Sequence, residues 1–263
     1  MKVSLVEKDD KRNKLVFDVE KTEASYVNTL RRLFMTEVPV MAVEDVEFRK
    51  NDSGLYDEVV AHRLGLIPFT TDLKSYNLPG ECKCKGEGCA RCQLKMTLKA
   101  KGPGMVYASD IKTKDPKVKP VFPKIPVVKL LDNQELELEM TAVLGLGKDH
   151  VKWSPCLAYY RQLADVSIES QPDNKEHIAE NCPVKAFDVK NDKLILTDEA
   201  GECTMCNECP SLSHGKIKVT PTENFRVTIE SWGQLDSKDI VVEALKVYDQ
   251  QLEEFASLLA KVK

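Results

Sequence analysis

The sequence predicts an α+β fold in which the two chain ends form one discontinuous domain, with two cysteine-bearing inserts between them. Three observations predict it. Complementary amphipathic strand and helix patterns stand at both ends of the 263-residue chain. Pro and Gly break the centre into short strands. Eight of the nine cysteines fall into two groups inside that centre. The boundaries are 1–48 with 219–263 for the terminal domain, 49–165 for a β-rich insert with a four-cysteine loop at 79–92, and 166–218 for a ferredoxin-like insert.

The first stretch alternates as a strand does, with Val3 and Leu5, a charged turn from Lys8 to Lys14, then Leu15, Phe17 and Val19. A helix follows over about Thr22 to Thr36. Its apolar Ala24, Val27, Leu30, Leu33 and Phe34 recur at three- and four-residue steps, and Pro39 lies just beyond. Val40 to Phe48 reads as a strand, and so does Glu135 to Met140. Near the other end Phe225, Val227 and Ile229 alternate up to Gly233. The longest helix runs from about Ser237 to Val262, capped by Ser237 or Asp236. Ile240, Ala244, Tyr248, Leu252, Phe255 and Leu259 line one face, which only a core or a partner can bury.

The hydrophobic share of 42% and charged share of 30% are ordinary for a globular protein. No apolar run approaches the roughly 20 residues of a membrane span, and no signal-peptide pattern opens the chain, so a cytoplasmic protein is expected. The net charge of −4 lacks the basic excess of a free-standing nucleic-acid binder. Five lysines between Lys112 and Lys124 share their segment with Asp115 and three prolines, and read as a solvated loop.

Without a secretion signal, cysteines point to metal before disulfides. Residues 203–210 read Cys-Thr-Met-Cys-Asn-Glu-Cys-Pro. Three thiolates at that spacing occupy three corners of an iron–sulfur cubane, and a remote Cys followed by Pro supplies the fourth. Cys182-Pro183 provides it, so Cys182, Cys203, Cys206 and Cys209 are candidate ligands of one [4Fe-4S] cluster. Ligands for a second ferredoxin cluster would fall at 172, 175, 178 and 213. Those positions are Pro172, Lys175, Ile178 and Ser213. A four-cysteine zinc site is the alternative.

Cys82, Cys84, Cys89 and Cys92 form a C-x-C-x4-C-x2-C loop, with Gly86 and Gly88 for a reversal. Four thiolates so close suit a structural zinc, against two disulfides or a metal-free loop. Cys156 stands alone and receives no role. Gly145-Leu-Gly-Lys148 lacks the first glycine and the Ser or Thr of a phosphate loop. His62, His150, His177 and His214 match no metal or catalytic spacing, and no catalytic residues are expected.

Several segments carry a family likeness. Tyr26 to Pro39, Asn51 to Pro68, Gly102 to Asp110 and Gly145 to Trp153 together resemble RNA polymerase assembly subunits. These are the archaeal D-type subunits, their eukaryotic third-subunit counterparts and the amino-terminal domain of bacterial alpha. The likeness covers nearly the whole chain, and the cysteine-rich insert is similar to the archaeal branch. For that insert the likeness implies one cubane, with a three-iron form after oxidation. It implies a dimerisation domain made from both chain ends, pairing with the smaller subunit L and then with subunits N and P and the large catalytic subunits. DNA is then met only through the assembled enzyme. Asn28, Leu30, Arg31 and Arg32 match the family's helix motif, and the likeness implies contact of Arg31 and Arg32 with the large subunits. The competing reading is an electron carrier or redox sensor. A cluster confined to one insert of a longer chain favours a structural staple instead.

Overall fold

The computed structural model describes residues 1–262. The chain opens with β1 (Lys2–Asp9), β2 (Lys14–Glu20), α1 (Ala24–Thr36) and β3 (Val40–Asn51). There follow α2 (Asp57–Gly65), β4 (Gln93–Lys101), β5 (Gly104–Tyr107), β6 (Lys112–Thr113), β7 (Pro126–Leu130) and β8 (Glu135–Gly145). The remainder holds β9 (Cys156–Ile168), α3 (Lys175–Asn181), β10 (Phe187–Lys190), β11 (Lys193–Leu196), α4 (Glu208–Leu212), β12 (Ile217–Ser231) and α5 (Ser237–Leu259). Strands from the two ends share a sheet of order β1-β2-β12-β9, so the fold is α+β and the chain closes on itself. By its internal contacts it divides into two units, 1–7 with 16–29 and 159–228, and 8–15 with 30–158 and 229–263.

The second unit is built on the antiparallel sheet β3-β8-β4-β6. Period-two alternation in β8 turns Leu136, Leu138 and Met140 inward, each at most 1% exposed, against Met96, Leu98 and Phe69. The intervening glutamates face out beside basic partners, Lys99 with Glu137 at 2.8 Å and Lys101 with Glu135 at 2.7 Å, in direct register across β4. α2 seats Val60 and Leu64 on this core. The glycines of the rejected phosphate-loop pattern have a packing role. A Cβ on Gly145 would meet the Trp153 ring at 2.3 Å, and one on Gly147 would meet the Met35 carbonyl oxygen at 2.0 Å.

The lysine-rich segment is not the free solvated loop its composition suggests. The lysines face solvent, but Val118 is wholly buried. The Thr70 amide donates to the Lys119 carbonyl at 2.9 Å, and Val121 to Pro68 at 2.9 Å. Tyr76 Oη donates to Asp115 at 2.8 Å. The Asp72 carboxylate accepts from Lys117 Nζ at 2.7 Å, from Ser75 Oγ and from the Lys74 amide, which together hold it well below the ordinary carboxylate range.

In the first unit, Asn191 and Asp192 both take left-handed φ angles of 50° and 58°. They make the tight turn that pairs β10 with β11. Ile178, Ala186, Phe187, Leu194 and Ile217 are the buried residues of this region's core. β12 is longer than its sequence pattern indicates, because polar residues alternate through much of its length.

Candidate metal centres

Cys182 closes α3 as its C-terminal cap, and Pro183 prevents the helix from continuing. Its Sγ accepts a hydrogen bond from the Ala186 amide at 3.3 Å. Cys203 ends a short 3₁₀ turn over Asp198–Glu202, is 8% exposed, and accepts from the Met205 amide at 3.5 Å. Left-handed Met205 and Asn207, with φ of 55° and 62°, wind the backbone between the three thiols. Cys206 is exposed and Cys209, within α4, is half-buried. Burial pushes the Cys209 thiol up to about 11, and the neighbouring Cys203, Cys206 and Cys182 add to the effect. All four sequence-predicted thiols therefore converge. A cavity of about 20 Å³ lies beside Cys182, Cys206 and Cys209. It has room for about one water.

Ser213 stands at the position where the sequence pattern would place a thiol of a second cluster. It is 1% exposed, donates from Oγ to the Pro210 carbonyl at 3.2 Å and accepts from the Ile217 amide at 3.0 Å. The hydroxyl now fastens the turn after α4.

The second group is tighter. The sulfurs of Cys82, Cys84, Cys89 and Cys92 all lie within 4.8 Å of one another, and among the described residues this is the set that meets single-ion spacing. Cys82 and Cys89 are 3.6 Å apart, Cys84 and Cys92 3.5 Å, Cys89 and Cys92 3.8 Å. A disulfide needs about 2.05 Å. Four sulfurs at about 2.3 Å from one tetrahedral ion stand about 3.8 Å apart. None of the nine cysteines is in a disulfide. Gly86 and Gly88, with φ of 85° and 92°, supply the reversal. Cys84 is held down to about 6 by hydrogen bonding with Cys92 and then Cys82, while burial pushes Cys92 up to about 12. Four thiols at this spacing could hold a metal ion.

Residues 46–155 match the model of the RNA polymerase Rpb3/RpoA insert domain, a span that takes in the four-cysteine loop and stops before Cys182. Over nearly its full length the chain is also similar to curated proteins called DNA-directed RNA polymerase subunit Rpo3. It is 38% identical to that of Methanosphaera stadtmanae, covering 95% of this chain and 96% of the relative. For Methanosarcina mazei the identity is 37% with 98% of each chain covered. For Pyrococcus furiosus it is 35%, with 100% of this chain and 98% of the relative. The chain belongs to the archaeal Rpo3 family.

The Rpo3 helix motif and the long helix are distributed between core and surface. Leu30, Ile240 and Ala244 are buried inside the chain itself, at 6%, 0% and 0% exposure, so they hold the fold and offer no free surface. Asn28, Arg31 and Tyr248 are half-buried, with Arg31 Nη1 3.6 Å from Met35 Sδ, and Arg32 is exposed. Leu252, Phe255 and Leu259 are exposed at 47%, 64% and 60%. Exposed Val242, Leu245 and Leu258 extend this apolar surface along α5, and Val3, Leu5 and Val6 add another on edge strand β1. The sequence pattern missed Val242, Leu245 and Leu258 because a single-face stripe counts only one set of helical positions, whereas Val3 and Leu5 were read as a strand. Among the described residues no helix is long and apolar enough to cross a membrane.

Proposed function

We propose that this chain is an assembly subunit of archaeal DNA-directed RNA polymerase that pairs with the smaller subunit L. It is then a non-catalytic part of a nucleotidyltransferase complex whose other subunits are its partners. The observation that carries the reading is the full-length Rpo3 likeness joined to an α5 whose outer half displays Leu252, Phe255 and Leu259 to solvent. Exposed apolar area of that extent calls for a partner face. The terminal domain of 1–48 with 219–263 makes that contact, subunits N and P and the large catalytic subunits follow, and Arg31 and Arg32 face the large subunits. The complex works in the cytoplasm, with DNA met through the whole enzyme.

Cys182, Cys203, Cys206 and Cys209 hold one [4Fe-4S] cluster, and Cys82, Cys84, Cys89 and Cys92 one structural zinc. Sulfur separations near the zinc tetrahedron support the second assignment. The C-x2-C-x2-C-P run with a remote Cys-Pro, and the nearness of the four thiols, support a multi-iron group at the first site. A cluster there ties α3, the 3₁₀ turn and α4 together, which adds a metal staple to a small core. Coexpression with an L-type subunit should give a heterodimer on size exclusion. A stable monomer with no affinity for that subunit contradicts the assignment.

A further inference from the structure

We infer that Glu202 is the positioning residue of the thiol site at Cys182, Cys203, Cys206 and Cys209, and that Arg161 and Arg226 hold it in place. The inference rests on the reading of those four cysteines as iron–sulfur ligands. Glu202 directly precedes Cys203, the one buried thiol of the set. Its carboxylate accepts from Arg161 Nη2 on β9 and from Arg226 Nη1 on β12. Arg161 also reaches the Gly201 carbonyl at 3.3 Å. Arg226 closes a two-point fork on Asp18 of β2, at 2.8 and 2.9 Å. Two strands of one sheet, β9 and β12, thus grip the peptide that ends in Cys203, and the neighbouring β2 braces Arg226.

A lone exposed ion pair would do little here, because water screens it and two long side chains must be ordered for it. This arrangement differs in two respects. Arg226 and Asp18 are 20% and 17% exposed, and the planar guanidinium is already fixed by Asp18 before it meets Glu202. The 3₁₀ turn Asp198–Glu202 has no side-chain cap, and downstream of Cys203 the backbone turns left-handed at Met205 and Asn207. The placement of the Cys203 sulfur therefore depends on what holds its upstream neighbour. Partners that orient a metal ligand in this way typically change metal retention by about 10- to 100-fold. Glu199 supplies an internal control. It is exposed in the same turn, carries the same charge and makes no hydrogen bond or ion pair among the described residues.

The test uses the full chain purified anaerobically, with iron transfer to excess bathophenanthroline followed by absorbance. The EPR spectrum of the dithionite-reduced protein is recorded alongside. Glu202→Ala should release iron about tenfold faster than wild type, with Glu202→Gln between them because it keeps one acceptor oxygen. Glu199→Ala should match wild type, and only the Glu202 variants should alter the EPR line shape. Equal release from Glu202→Ala and Glu199→Ala, with unchanged spectra, would overturn the positioning role while leaving the iron assignment intact. A wild-type chain without iron would overturn the iron assignment, and the inference with it.

Discussion

Two residues with opposite environments mark the limits of what single side chains do in this chain. Cys156 is 1% exposed, and burial alone pushes its thiol up to about 12. At pH 8 it should resist iodoacetamide in the folded protein and react once the protein is unfolded, as mass spectrometry would read. Modification at the native state would contradict its placement. Asp72 lies at the other limit. Its carboxyl is held below its unfolded value by Lys117, Ser75 and the Lys74 amide. A depressed folded pKa contributes stability that is present above the unfolded value near 4 and is lost as pH falls below it. Asp72→Asn should therefore lower the melting temperature at pH 7 and flatten its decline between pH 5 and pH 3. An unchanged acid slope would show that this carboxylate is not responsible. No sequence pattern points to Asp72 or to Glu202, because Lys117 and Arg226 lie 45 and 24 residues away along the chain. The cysteine groups were readable because Cys82–Cys92 and Cys203–Cys209 each fall within a few residues of one another, so their spacing stands out in the chain.

Elements differ in how much of their patterning serves the chain itself. On α5 the stripe from Ile240 to Leu259 is continuous in sequence, yet burial ends after Ala244. Periodicity reveals an apolar face and is silent on whether that face meets its own core or another molecule. Two substitutions separate the cases. Ile240→Ala should cost roughly 2–5 kcal/mol in chemical unfolding of the lone chain, as a large-to-small change in a packed core does. Phe255→Glu should stay within about 0.5 kcal/mol of wild type and abolish pairing with an L-type subunit. A strongly destabilised Phe255→Glu monomer would place that ring in the chain's own core. α3 and α4 are short and depend on tertiary support. Cys203→Ser should speed hydrogen exchange through 166–218 while leaving the β3-β8-β4-β6 sheet protected. β9 escaped the sequence reading, since Arg161, Gln162 and Asp165 interrupt its apolar alternation.

Across the whole molecule, the α+β class was legible from the terminal strand and helix patterns, while the pairing of β1, β2, β12 and β9 in one sheet was not. Nor was the division into compact units. It cuts through β1, β2, α1, β9 and β12, so no composition shift or linker marks it. A chain arranged in this way brings two thiol sites and an unburied helix face to a complex, and no catalytic constellation emerged from the sequence to give it chemistry of its own. The most direct test of that account is the iron, sulfide and zinc content of the heterodimer formed with an L-type subunit, purified anaerobically by size exclusion. The account predicts about four iron, four sulfide and one zinc per heterodimer, with all three co-eluting. A heterodimer that carries zinc at both sites and no sulfide, or a chain that elutes alone, would contradict it.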